Sequence, residues 1–319
     1  MPNRETPAHA AREGALAQAL LRVGHTVDGK YRLTAVLAVG GMGVVYEAQH
    51  LFLDRTVALK VLHPRYEDGH DAAKRFLREA ATLGSLGHRS IVEVLDGGFV
   101  DGTTPYLVME MLHGENLAQR IQRRTALRLA QAATVLREMM KGLAAAHAKG
   151  IVHCDLKPEN VFLTERIIEP GHVKLLDFGV ARIVAGESPT TSGDGAHLYG
   201  TPEYMAPEQI VGEELGPRTD LYGAGVVAFE ALTGVSPFRS IRSKRSTIFV
   251  RVLRDKVPRL VGLRESIPEP FVSLVAQLMA KSPDERPDSA MDVLHAIDAM
   301  HVAPIASIGV IRAARRVKS

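Results

Sequence analysis

A single cysteine, Cys154, stands among 319 residues, and that scarcity excludes two classes of protein at once. A disulfide scaffold needs cysteine pairs, and a thiolate metal site needs several sulfurs at fixed spacing. Long apolar runs are missing too. The longest uncharged apolar stretch near a terminus, Val302 to Ile311, covers about half of the roughly 20 residues that a membrane span requires. The polar N-terminus carries no apolar core of the signal-peptide kind. Charge of one sign is also lacking, since the formal net charge is only +3. Residues 302–319 hold Arg312, Arg315, Arg316 and Lys318 with no acid, and without these four cations the charge falls to −1. A near-neutral body offers no broad basic face for nucleic acid. No internal repeat is visible. These absences predict a cytoplasmic protein of a reducing compartment, with no membrane span in this chain and no nucleic-acid partner.

What is present describes a globular chain. With 46% hydrophobic and 24% charged residues, disorder and fibre are excluded, and the length suffices for one large domain or for two lobes with a cleft between them. Residues 1–28 are Ala-rich, with Leu16, Ala19, Leu20 and Val23 at helical spacing, and predict a short leader helix, docked or loose. From 29 to 112 the pattern is strand-like: Tyr31 to Leu37, Val44 to Tyr46, Thr56 to Leu62, then a helical stretch from Arg75 to Leu86 and two more strands ending at Glu110. From 113 to 301 helices dominate, with long runs at Leu127 to Lys149, Asp220 to Leu232 and Phe271 to Ala280. The basic segment 302–319 reads as a tail, either solvated or meeting an acidic partner or an anionic membrane surface.

Four motifs carry chemistry. Between two strands lies Ala38-Val39-Gly40-Gly41-Met42-Gly43, where missing side chains let backbone N–H groups approach phosphate oxygens. Alone, such a loop is more often a hairpin turn. Lys60, in the apolar strand Val57-Ala58-Leu59-Lys60, needs a counter-charge or a phosphate, and Glu79 on the following helix can supply the former. As an isolated pair these two are better read as solvated surface residues. His153-Cys154-Asp155-Leu156-Lys157-Pro158-Glu159-Asn160 then sets a carboxylate, an ammonium and an amide within six residues, and Asp177-Phe178-Gly179 follows a further strand. Together they suit phosphoryl transfer. One carboxylate orients and deprotonates a hydroxyl, an amide and a second carboxylate hold Mg²⁺ on a triphosphate, and a lysine offsets charge on the moving group.

With these motifs in order, the chain resembles the Hanks-type protein kinase family, specifically the bacterial serine/threonine kinases, from about Tyr31 to Ala299. The likeness extends to Gly200-Thr201-Pro202-Glu203-Tyr204-Met205-Ala206-Pro207-Glu208, to Asp220-Leu221-Tyr222-Gly223 and to Arg286. It implies an α+β, two-lobed kinase fold and transfer of the γ-phosphoryl of ATP to Ser or Thr of protein substrates, with autophosphorylation. The implied cofactors are ATP and Mg²⁺, with Mn²⁺ as the alternative ion. It also implies roles. Lys60 reaches the α- and β-phosphates and pairs with Glu79; Asp155 takes the acceptor's proton; Lys157 neutralises the γ-phosphoryl; Asn160 and Asp177 bind the metal. Val45, Ala58 and Phe162 sandwich the adenine, and Glu110-Met111-Leu112 forms the hinge with Met109 behind it. Thr201 bridges Asp155 and Lys157, His153 packs on Phe178, Glu208 and Arg286 form a buried ion pair, and Asp220 holds the catalytic loop. Glu159 and Glu230 occupy positions that receive an arginine in basophilic members. The competing readings are a pseudokinase scaffold and a small-molecule phosphotransferase.

Three departures from the family pattern stand out. Ala38 replaces the loop's first glycine, which leaves ATP binding intact. Asp177 follows Asp155 by 22 positions, so that Thr164 to His172 predicts a lengthened hairpin turn. Cys154 stands where many regulated kinases place an arginine that awaits an activation-loop phosphate. The stretch Gly193 to Leu198 likewise lacks a hydroxyl residue to receive one, although Ser188, Thr190, Thr191 and Ser192 lie earlier. Activity independent of a phosphate beside the catalytic loop is the expectation. Cys154 itself is an arginine replacement rather than a redox thiol, since the neighbouring Asp155 charge disfavours its thiolate.

Overall fold

The structure is a computed structural model, and it describes residues 7–41, 43–62, 84, 86–124, 126–165, 173–178, 201–238, 245–260 and 267–300. These fall into two compact units, one of residues 1–87 with 93–112 and one of 88–92 with 113–319. Among the described residues no helix is long and apolar enough to cross a membrane.

The first unit opens with α1 (Pro7–Leu21) and continues into a six-stranded sheet of β1 (Thr26–Val27), β2 (Tyr31–Val39), β3 (Gly43–His50), β4 (Arg55–Leu62), β5 (Val94–Val100) and β6 (Thr104–Glu110), ordered β1-β2-β3-β4-β6-β5. Every neighbouring pair is antiparallel. Alternation decides the faces: Tyr31 and Leu33 on β2 are buried while the alternating Arg32 and Thr34 are exposed. The core lies on the face of Tyr31, Leu33, Tyr46, Ala48, Val57, Leu59, Val61, Tyr106 and Val108. Of the leader residues at helical spacing, Ala19 joins this core at 3% exposure, whereas Leu16 and Leu20 are 41% and 55% exposed. Val23 is half-buried.

The sheet curls strongly, as strand twist allows. Tyr31 on β2 donates to Asp96 Oδ2 on β5 at 2.6 Å, and Tyr106 on β6 donates to Asp28 Oδ2, beside β1, at 3.0 Å. Lys30 sits 2.9 Å from Asp28 and 3.7 Å from Asp96. Strands at opposite ends of the order are thus joined by side chains. Burial pushes both phenols up, and the acids beside them add to it.

The second unit comprises a small sheet of β7 (Gly114–Asn116), β8 (Val161–Thr164) and β9 (Val173–Leu175), and the helices α2 (Leu117–Arg124), α3 (Leu129–His147), α4 (Pro207–Val211), α5 (Pro217–Thr233), α6 (Arg245–Arg254), α7 (Glu269–Leu278) and α8 (Ala290–Ala299). The central element is α5. Pro217 occupies its first turn, where the missing N–H costs nothing, and Gly234 ends it at φ 80°. Every residue from Thr219 to Leu232 is buried. It packs against α3 and α7, while α8 lies on α3. A helix buried on all sides in this way is the mark of a unit's centre. Arg75 to Leu86, expected as a helix, and the turn expected at Thr164 to His172 lie mostly outside the described residues.

Candidate functional site

In the first unit the strand registers place the predicted ligand residues on one face. Val45 pairs with Lys60, Lys60 with Leu107, and Ala58 with Met109. Cross-strand partners share a face, and residues two apart on a strand do as well, so Val45, Ala58, Lys60 and Met109 all lie opposite the Leu59–Tyr106 core. Lys60 is 4% exposed, a depth at which an ammonium needs anionic company. Its expected partner Glu79 lies outside the described residues, as does Met42. At the end of β6 the Glu110 carboxylate accepts the Glu93 backbone N–H at 2.8 Å, and the Glu110 N–H donates to the Glu93 carbonyl at 3.0 Å. Leu112 follows, half-buried.

Ala38 and Val39 close β2 and pair with Val45 and Val44. Gly40 and Gly41 make the turn, where the Gly40 N–H donates to the Gly43 carbonyl at 2.9 Å. None of the loop's described residues has a positive φ, so Ala38 is not strained there. Gly43 is needed for space instead: a Cβ would stand 2.1 Å from the Val61 carbonyl oxygen on β4.

In the second unit the chemistry gathers on the loop from His153 to Asn160. Asp155 accepts from Lys157 Nζ at 2.6 Å, and Asn160 Nδ2 donates to the Asp155 carbonyl at 2.8 Å and to Oδ2 at 3.2 Å. The side chains of Lys157 and Asp155 are 18% and 10% exposed, which leaves both within reach of a reactant. Among the described residues both side-chain bonds of Asn160 are donated by Nδ2. The Leu176 N–H donates to the Asn160 carbonyl at 2.9 Å, which ties the end of β9 to this loop, and Asp177 follows at φ 55°. Asn160 and Asp177 are hard oxygen donors of the kind Mg²⁺ or Mn²⁺ prefers. Phe162, on β8, pairs with Asn116 and Lys174.

The loop's shape is held from beneath. Asp220, near the start of α5 and fully buried, accepts the His153 N–H at Oδ2, the Cys154 N–H at Oδ1 and His147 Nε2 at Oδ2, each at 2.8 Å. His153 Nε2 lies 2.8 Å from the Leu176 carbonyl, which can only accept, so Nε2 bears the proton and Nδ1 receives the Asp155 N–H at 3.3 Å. The His153 ring meets Phe178 with centroids 4.5 Å apart. Gly223 on α5 makes room for Leu156, whose Cβ an added methyl would approach to 2.9 Å. Gln209 on α4 donates Nε2 to the Cys154 carbonyl at 2.8 Å. That contact escaped the sequence reading, because nothing local to either residue signals a bond across 55 positions.

Two further expectations concern Thr201 and Glu230. Thr201, expected to bridge Asp155 and Lys157, bonds to neither among the described residues; Lys157 reaches Asp155 directly, and Thr201 precedes the short turn Pro202–Tyr204. Glu230 accepts the Tyr204 hydroxyl at 2.7 Å, and burial together with that carboxylate pushes the phenol up. Below them Glu208 and Arg286 pair through two bonds of 2.7 and 2.8 Å at 2% and 0% side-chain exposure. Burial alone would raise Glu208, but the hydrogen bonds and charge of Arg286 outweigh it and hold the carboxyl below its ordinary value.

Comparison with known proteins points to one family. The protein kinase domain family matches residues 31–297. The serine/threonine-protein kinase PknL of Mycobacterium tuberculosis (strain ATCC 25618 / H37Rv) is 39% identical over 260 residues, covering 82% of this chain and 63% of that protein. The serine/threonine-protein kinase pkn3 of Myxococcus xanthus is 35% identical over 272 residues, covering 84% of this chain and 49% of that protein. The chain therefore spans less than two thirds of the length of these relatives. The solved kinase domain of M. tuberculosis PknI matches with a TM-score of 0.67 at 26% identity, over 87% of this chain and 97% of that one.

Proposed function

The chain belongs to the protein kinase family, and from that premise we propose that it transfers the γ-phosphoryl group of Mg²⁺-ATP to serine or threonine hydroxyls of protein substrates, itself included. The family uses ATP with a divalent metal and acts on proteins; Mg²⁺, with Mn²⁺ as substitute, is the choice that fits Asn160 and Asp177. The observation that carries the reading is the Asp155–Lys157–Asn160 cluster, with Lys157 at 2.6 Å from the carboxylate.

In this mechanism Asp155 orients the acceptor hydroxyl and takes its proton as the new O–P bond forms. The bond from the γ-phosphorus to the β–γ bridging oxygen breaks, and its electron pair leaves with ADP. Lys157 offsets charge on the moving phosphoryl group, and Lys60 with Glu79 holds the α- and β-phosphates. The cation, when bound, neutralises charge on the triphosphate. Val45, Ala58, Phe162 and Met109 enclose the adenine, and the backbone of Glu110 to Leu112 reads its edge. Residues 29–112 and 113–301 serve as the two lobes, and the basic tail 302–319 engages an acidic partner or an anionic membrane surface. The reaction belongs in the cytoplasm, where ATP is supplied. Because Cys154 replaces the phosphate-awaiting arginine, turnover proceeds without a phosphate beside the catalytic loop.

Purified protein, pretreated with phosphatase and given labelled ATP and Mg²⁺ beside Asp155→Asn, tests this. Label on Ser or Thr in the wild type, abolished in the variant, is expected. Silence in the wild type, with ATP still bound, would favour a scaffold.

A further inference from the structure

The peptide groups on the two sides of Cys154 are each held by a different helix. Its N–H donates to Asp220 Oδ1 on α5 at 2.8 Å, and its carbonyl accepts from Gln209 Nε2 on α4 at 2.8 Å. Between them Cys154 adopts φ 61°, a left-handed conformation that a non-glycine residue keeps only when its surroundings hold it. The carbonyl held by Gln209 belongs to the same peptide unit as the Asp155 N–H, so its orientation sets where the Asp155 side chain starts.

Gln209 has a second bond. Its Oε1 accepts the Ala206 N–H at 2.9 Å. The amide orientation follows from its partners, since a backbone N–H can only donate and a carbonyl can only accept. One side chain thus joins the segment that leads from Thr201 into α4 to the peptide unit of Asp155. Such a link is of particular use in this chain, because Cys154 has no cationic side chain through which that segment could be tied to the loop.

We propose that Gln209 is a positioning residue for Asp155, holding the Cys154–Asp155 peptide in its left-handed entry and coupling it to the segment from Thr201 to Ala206. The inference rests on the reading of Asp155 as the proton acceptor. Losing the Nε2 donor lets the peptide rotate, so the rate of transfer falls while nucleotide affinity, which Gln209 does not touch, stays.

Gln209→Glu is the informative variant. It keeps an oxygen for the Ala206 N–H, but its carboxylate faces the Cys154 carbonyl with charge and no donor. Protonated, the carboxyl regains an O–H that can donate to that carbonyl. At pH 8 we expect kcat to fall about tenfold, the equivalent of about 1.4 kcal/mol, with KM for ATP unchanged. The ratio of variant to wild-type kcat then rises as pH is lowered towards 6, while Gln209→Met, which can never donate, shows a constant deficit. A purely structural role would lower thermal stability and give no such pH-dependent ratio. Should the Glu variant fail to fold, the Met variant still reads the kcat-against-KM split. Active wild type with Gln209 variants of undiminished kcat, or a Glu deficit that does not change with pH, overturns this inference alone. Wild type that transfers nothing overturns the functional reading, and this inference with it.

Discussion

Removing Arg286 tests whether the second unit depends on one buried cation. The guanidinium makes five bonds: two to Glu208, and one each to the carbonyls of Ala280, Arg218 and Lys281 at 2.9, 2.9 and 3.1 Å. It also lies over the Tyr222 ring at 5.0 Å. Arg286→Ala leaves the Glu208 carboxylate buried without a counter-charge, a loss of about 3–5 kcal/mol. Measured against a total stability of about 5–15 kcal/mol, that is a large fraction. For a unit of this size it corresponds to a fall of about 10 °C in the unfolding midpoint. With no tryptophan in the chain, the helical circular dichroism signal is the suitable probe. Replacing both partners, as Glu208→Leu with Arg286→Met, removes the unpaired charge but leaves three carbonyls without their donor. The double variant is therefore expected to lie between wild type and Arg286→Ala, with a coupling energy of about 2 kcal/mol in the cycle. Phosphoryl transfer per folded molecule, assayed below the midpoint, should stay near wild type. An Arg286→Ala variant within about 1 kcal/mol of wild type, or a double variant as stable as wild type, would refute the reasoning.

Lys281 supplies a pH test, because burial, with Arg286 nearby and only partly opposed by Asp255, lowers it to about 8. Between that value and 10.5 the unfolded chain carries a proton there that the folded chain lacks, so raising pH favours the fold. Wild type should gain thermal stability relative to Lys281→Met across that window, and parallel pH curves for the two would contradict it. At the turn between β2 and β3, Gly43→Ala places a methyl 2.1 Å from the Val61 carbonyl oxygen. The ladder must splay at a cost of about 1–3 kcal/mol, and both a lower midpoint and a higher KM for ATP are expected, read by thermal melts and steady-state kinetics.

The fold class was legible because its signals are local. Tyr31 to Leu37, Thr56 to Leu62, Leu127 to Lys149 and Asp220 to Leu232 announce their elements by periodicity, and the structure moves the ends by only a few residues. The short β7 and α2 were not foreseen: Gly114–Asn116 is too brief for alternation to show, and the polar, arginine-rich Leu117–Arg124 shows its buried side only through Leu117 and Ile121, too few positions to establish a period. In the site, Asp155, Lys157 and Asn160 were visible as a cluster since they lie within six residues. The Asp220 contacts and the Glu208–Arg286 pair followed from family resemblance rather than from pattern. Gln209 and His147 were missed because their bonds to the loop and to Asp220 are made through space. Among the described residues Lys157 closes on Asp155 directly, and no bond from Thr201 to either is seen.

The curl of the six-stranded sheet bears on how the molecule behaves at high concentration. A sheet's outer strands invite pairing with a second molecule, and the remedies are brevity, bulges and charge. Here one outer strand, β1, has two residues, and the other, β5, is broken by a register shift between Val94 and Asp96 and carries two glycines. Tyr31 and Lys30 reach across to Asp96, so a foreign strand arriving at β5 would first have to displace a phenol and an ammonium from that carboxylate. The same hydrogen bonds that shape the first unit thereby discourage its aggregation through strand exchange.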